Sequence, residues 1–190
     1  MMALMLAQGP CPPEAMAIAA DAAVRAQALD LPGAIDRLYD AAAGGCADAA
    51  VGILYLRGLI GARDAFSQGA PPESLAAVRE SIEALGTISR GAAGPAEIAR
   101  LMLQAAAAAA QSERDEMALY LDHAERMDGL LRAAAQPAAP VLSAAEVSGE
   151  LWLQVHRYDE ARRAFEKAVA QVGMTPRVVA GLARVNAAAR

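Results

Sequence analysis

Along this chain apolar residues recur every three or four positions, and short clusters of Gly, Pro and polar residues interrupt the rhythm. That period lays one apolar stripe along each of a series of helices; no segment alternates with the period of two that marks a strand. A first helix is predicted over residues 13–29, with Ala15, Ile18, Ala19, Ala22 and Ala26 as its stripe and Pro13 at the favoured first position. Leu31-Pro32-Gly33 breaks it. The second helix, 32–43, turns Ile35, Leu38 and Tyr39 inward and stops at Gly44-Gly45. The third, from about Ala47 to Gly61, carries Val51, Leu54, Tyr55 and Leu59. After a Gly- and Pro-rich loop, Pro72 opens a fourth helix with Leu75, Val78, Ile82 and Leu85. Pro95 opens a fifth, which runs through an alanine tract to about Gln111. Ser112 with Asp115 predicts a capping box for the sixth helix, and Ser143 with Glu146 predicts one for the seventh. The eighth begins near Tyr158 and the ninth at Thr175-Pro176.

The even-numbered helices share one spacing: Ala34, Leu38, Ala41; Val78, Ile82, Leu85; Met117, Leu121, Ala124; Ala161, Phe165, Ala168. Their first members fall about 40 residues apart, the interval of helical repeats. Four hairpins and a final helix follow, each burying its face against the next. Composition agrees: alanine is the best helix former, and aromatics make up only 4% of the chain. With so few large side chains, the helices have to approach one another closely.

The last hairpin resembles a tetratricopeptide repeat (TPR) over residues 143–175. Gly149 matches the small residue that lets the second helix approach, and Trp152 the aromatic position after it. Tyr158 opens the second helix, and Ala161, Phe165 and Ala168 match its small, aromatic and small positions. Ala145 and Ser148 depart from the pattern, being smaller than usual, and predict looser packing with room for a cavity. The resemblance implies an all-α fold in which antiparallel hairpins stack as a TPR-like right-handed superhelix of about nine helices. It also implies that the first helix of each hairpin lines a concave, partner-binding groove. In the last repeat that groove would take Ser143, Glu146, Glu150, Leu153 and Gln154, with Arg177 and Arg184 two turns apart on helix nine.

Charge and chemistry narrow the function. The formal net charge is −5 with the two signs interspersed, which argues against nucleic acid as a partner. No stretch of about 18 apolar residues is free of charge, so no transmembrane span is predicted. Nucleophile elbow, phosphate loop and dinucleotide fingerprint are all absent from the sequence. His123 has Asp122 and Glu125 at the wrong helical spacing for a shared metal; Asp122 and Arg126 instead predict an ion pair one turn apart. His156 falls at a turn. The expectation is therefore a chain without catalytic residues, cofactor or metal.

If the first two helices form an antiparallel hairpin, Cys11 before the first and Cys46 after the second come together, and a disulfide between them is expected in an oxidising compartment; two separate thiols fit a cytoplasmic one. Met1–Ala7 is apolar and lacks Lys and Arg, like the end of a secretory signal cut near Gln8-Gly9-Pro10, or else a frayed terminus. Residues 1–10 are thus set apart from one repeat domain over 11–190, with export to the periplasm favoured over the cytoplasm. The expected role is a non-enzymatic adaptor or scaffold that binds a protein or peptide. A carrier of an apolar small molecule and a self-associating helical stack are the alternatives.

Overall fold

The computed structural model describes residues 11–69, 71–136 and 141–188, and the expected leader remnant at 1–10 lies outside them. Among the described residues the fold is all-α, with nine α-helices and no strand. In chain order the helices are α1 (Pro13–Gln27), α2 (Leu31–Ala43), α3 (Asp48–Ser67), α4 (Ala76–Ser89), α5 (Pro95–Ala110), α6 (Arg114–Ala133), α7 (Ala144–Gln154), α8 (Tyr158–Val172) and α9 (Pro176–Ala188). A single 3-10 turn, Pro72–Leu75, precedes α4. Among the described residues no helix is long and apolar enough to cross a membrane.

Local chemistry sets most boundaries. Ser143 and Glu146 form the expected reciprocal capping box at the start of α7. The box expected at Ser112 and Asp115 does not form. Ser112 instead takes the left-handed conformation that ends α5, with φ 64°, whereas an N-cap needs an extended backbone; Glu113 stands in the N-cap position without a side-chain cap bond. Asp30, unnoticed in the sequence, caps α2 by accepting from the Gly33 amide at 3.0 Å. Helix α3 passes through Gly58 and Gly61 to end at Ser67, about two turns beyond the expected stop. Gly58 is a point of close approach rather than a terminator: a Cβ there would lie 2.4 Å from Leu103 of α5. Helix α1 conversely ends at Gln27, because Leu29 adopts a left-handed turn at φ 68° that no glycine announces.

Each hairpin packs internally, as α1 on α2, α3 on α4, α5 on α6 and α7 on α8. The odd-numbered helices also touch in succession, α3 on α5, α5 on α7 and α7 on α9. Eleven of the twelve positions in the shared even-helix spacing are buried; Ile82 is half-buried. One core runs from α1 to α7, and two small clusters join α7, α8 and α9. Phe165 is fully buried between two glycines: a Cβ on Gly149 would meet its ring at 2.7 Å, and one on Gly181 at 2.3 Å. Trp152 is half-buried and bridges the large core to the Phe165 cluster. Tyr39, expected inward, is exposed. The loose end expected at Ala145 and Ser148 is tight. Both are fully buried, and Ala145 packs with Ala168 and Val178 because α9 closes over that end of the hairpin.

A disulfide joins Cys11 to Cys46 with a Cα–Cα distance of 4.3 Å, fastening the start of α1 to the α2–α3 junction. The opposite end of α1 is fastened by noncovalent means. Arg177 of α9 donates to the Ala26 carbonyl from Nε at 3.3 Å and Nη2 at 3.1 Å, where the α1 dipole favours a cation. The last helix therefore reaches the end of the first.

Candidate functional site

Helices α3, α5, α7 and α9, with the α1–α2 turn, line a cavity of about 420 Å³. Its wall comes from five separate parts of the chain: Leu29 and Leu31 at the α1–α2 turn, Leu59, Ala62 and Arg63 on α3, Ala106 on α5, Val147, Glu150, Leu151 and Gln154 on α7, and Arg177, Ala180 and Arg184 on α9. Helical geometry explains the grouping. Leu59, Ala62 and Arg63 stand three and four residues apart, as do Val147, Glu150, Leu151 and Gln154, so each set shares one face. The volume falls within the range of about 300–1,000 Å³ typical of ligand sites.

The polar residues of the wall are ordered by one carboxylate. Glu150 accepts from Arg177 Nη1 at 3.0 Å and lies 3.4 Å from Arg184 Nη2. Arg177 is buried and spends its other donors on Ala26. Arg184 and Arg63 are open to solvent, with side chains 54% and 68% exposed. Arg63 has Asp64 at 3.8 Å, a separation too long for a hydrogen bond. Three arginines face one carboxylate, so the wall carries a net +2 on a chain of net charge −5.

One turn before Glu150, at the start of α7, lies a buried polar knot. Glu146 is fully buried. Its Oε2 accepts from the Ser143 amide at 2.9 Å, Ser143 Oγ at 2.8 Å and Gln27 Nε2 at 3.2 Å; its Oε1 accepts from Thr175 Oγ1 at 3.1 Å. Asp128 of α6, also fully buried, accepts from the Ala144 amide at 3.1 Å and from Arg132 Nε at 3.0 Å. The Tyr55 hydroxyl has no hydrogen-bond partner among the described residues. Burial first, then the charges of Asp128 and Glu146, push its phenol well above the ordinary value, so it stays protonated.

Of the residues expected in the groove, the structure brings Glu150, Gln154, Arg177 and Arg184 to the cavity wall. Ser143 and Glu146 belong to the knot, and Leu153 packs in the Phe165 cluster. Arg63 and the α3 apolar residues were missed, although the same first-helix logic and their one-turn spacing mark them. Elsewhere, Arg126 and Asp122 form the expected ion pair. His156 sits in a left-handed turn with its Nδ1 3.1 Å from the Tyr158 hydroxyl. No grouping of His, Cys, Asp and Glu suited to a metal occurs among the described residues.

Among the described residues the fold is all-helical, with a cationic and apolar cavity lined by α3, α5, α7, α9 and the α1–α2 turn. Compared with models of protein families, with curated proteins and with solved structures, the chain has no match.

Proposed function

We propose that this protein is a non-enzymatic, TPR-like interaction module that holds a partner's extended segment in the cavity of its odd-numbered helices. The observation that carries this reading is the convergence of five chain segments on one site. A wall assembled from α3, α5, α7, α9 and the α1–α2 turn offers a continuous surface to an extended chain, the manner in which stacked helical repeats bind. The disulfide and the Arg177–Ala26 contact stiffen the ends of α1, which lowers the ordering cost of binding. The Cys11–Cys46 bridge also supports residence in an oxidising compartment, and on this reading the protein works after export.

Panning a library of peptides blocked at both termini tests the proposal. Gln154→Trp puts a large side chain into the cavity from a half-buried position in its wall. Selected peptides should lose binding to this variant while its circular dichroism and melting temperature stay near wild type. Equal binding to both proteins rules the cavity out. The cavity's volume also suits a small apolar ligand, the second reading. Native mass spectrometry would support that reading by showing a retained small molecule.

A further inference from the structure

The cavity also specifies what kind of segment fits it. We propose that its anchor is an apolar side chain next to an internal acidic one, with the apolar group on the wall and the carboxylate held by Arg63 and Arg184. This rests on the peptide-binding reading above and adds the chemistry of the bound segment.

Three observations carry the inference. First, Leu59, Ala62, Val147 and Leu151 present aliphatic side chains to the cavity, and none of these side chains has a polar atom with which to orient a polar guest. Second, the net +2 of the wall is opposite in sign to the chain's −5, so it is a local concentration of charge and not a general property of the surface. Third, the two exposed arginines retain donors. Arg177 has already neutralised Glu150 at 3.0 Å, leaving Arg184 only a longer contact of 3.4 Å with that carboxylate. The nearest acid to Arg63 is its exposed neighbour Asp64, at 3.8 Å. A guanidinium has five N–H groups in a fork that matches a carboxylate. A guest carboxylate would complete that set, whereas a guest lysine would meet like charge.

Arg177 is a poor probe of this surface, since its replacement would also release α1. Arg63 and Arg184 are exposed and can be changed without touching the core. Binding of a positional-scanning array of acetylated, amidated hexapeptides should be measured by fluorescence anisotropy, with dodecanoate as a non-peptide probe. Binders should combine Leu, Met or Phe with a neighbouring Asp or Glu. Changing that acid to its amide should weaken binding roughly tenfold, the order expected for loss of one charge-assisted contact. The double variant Arg63→Glu/Arg184→Glu should keep the wild-type melting temperature and prefer Lys in place of the acid. Binders without an acidic preference, or a double variant with unchanged preference, would overturn the inference while leaving peptide binding intact. An array without binders would overturn both, and retention of dodecanoate alone would assign the site to a small ligand.

Discussion

Glu146 and Glu150 stand one turn apart on α7, yet they belong to regions of opposite character. Around Glu146 the structure is closed. Its carboxylate accepts from Ser143, Gln27 and Thr175, and on the same helix Gly149 receives the ring of Phe165. Around Glu150 the structure is open, with aliphatic wall, solvent and two arginines that have donors to spare. The difference lies in what α1 and α9 contribute. At the first carboxylate they bring neutral donors, Gln27 Nε2 at the end of α1 and Thr175 Oγ1 at the start of α9. At the second a gap remains, lined with positive charge by Arg177 and Arg184 of α9 and Arg63 of α3. Buried polar groups that are fully bonded make a fold specific, and exposed charges beside apolar surface are available to a guest.

The comparison predicts a graded set of effects. Phe165→Ala should cost about 3–5 kcal/mol, since it empties the space between two glycines that cannot fill it. An unchanged urea midpoint would mean that the α7–α8–α9 seam contributes little. Glu146→Ala should cost about 2–4 kcal/mol, combining a lost cap with unpaired buried donors. Gly181→Ala should cost about 1–3 kcal/mol by overpacking against the Phe165 ring, and a smaller partner ring or side chain at position 165 should recover part of it. Arg184→Ala, in the open region, should change stability by no more than about 0.5 kcal/mol. A loss comparable to that of Glu146→Ala would show that the cavity wall is structural after all.

A pH titration adds a smaller effect from outside both regions. Glu97 of α5 is held below its ordinary value by Arg100 first and then by Ser89, against the opposing effect of burial. Its folded value is depressed, so its contribution to stability is fully present above pH of about 4.5, the ordinary carboxylate value. It is lost as pH falls through the lowered folded value. Glu97→Gln should therefore flatten the acid side of the stability curve and leave its shape above that pH unchanged, as measured by thermal melts across the acid range.

Much of the fold was legible because helical periodicity and proline starts are local signals. The four even-helix triplets and the Ser143–Glu146 box could be read from spacing, and a close approach at Gly149 was implied by the resemblance of the last hairpin to a TPR. Helix ends were less legible. Leu29, Arg90, Ser112, Ala135 and His156 all adopt positive φ without being glycine, while Gly58 and Gly61 continue α3 for the sake of packing. The site was legible only in part, because it depends on how far the stack curls. Sequence spacing puts Glu146 and Glu150 on one face, but their different surroundings are created by Gln27 reaching α7 from the end of α1 and by Arg177 of α9, which contacts both Glu150 and Ala26. For the same reason Arg63 gained its place beside α9 only through the fold.

Chemical-shift mapping of a selected peptide on isotope-labelled protein tests the central claim most directly. If the odd-numbered helices hold the guest, the largest shifts will fall at Leu59, Ala62, Gln154 and Ala180 around the cavity. Shifts concentrated instead at exposed positions of the even-numbered helices, such as Leu119 of α6, with the cavity residues unmoved, would contradict it.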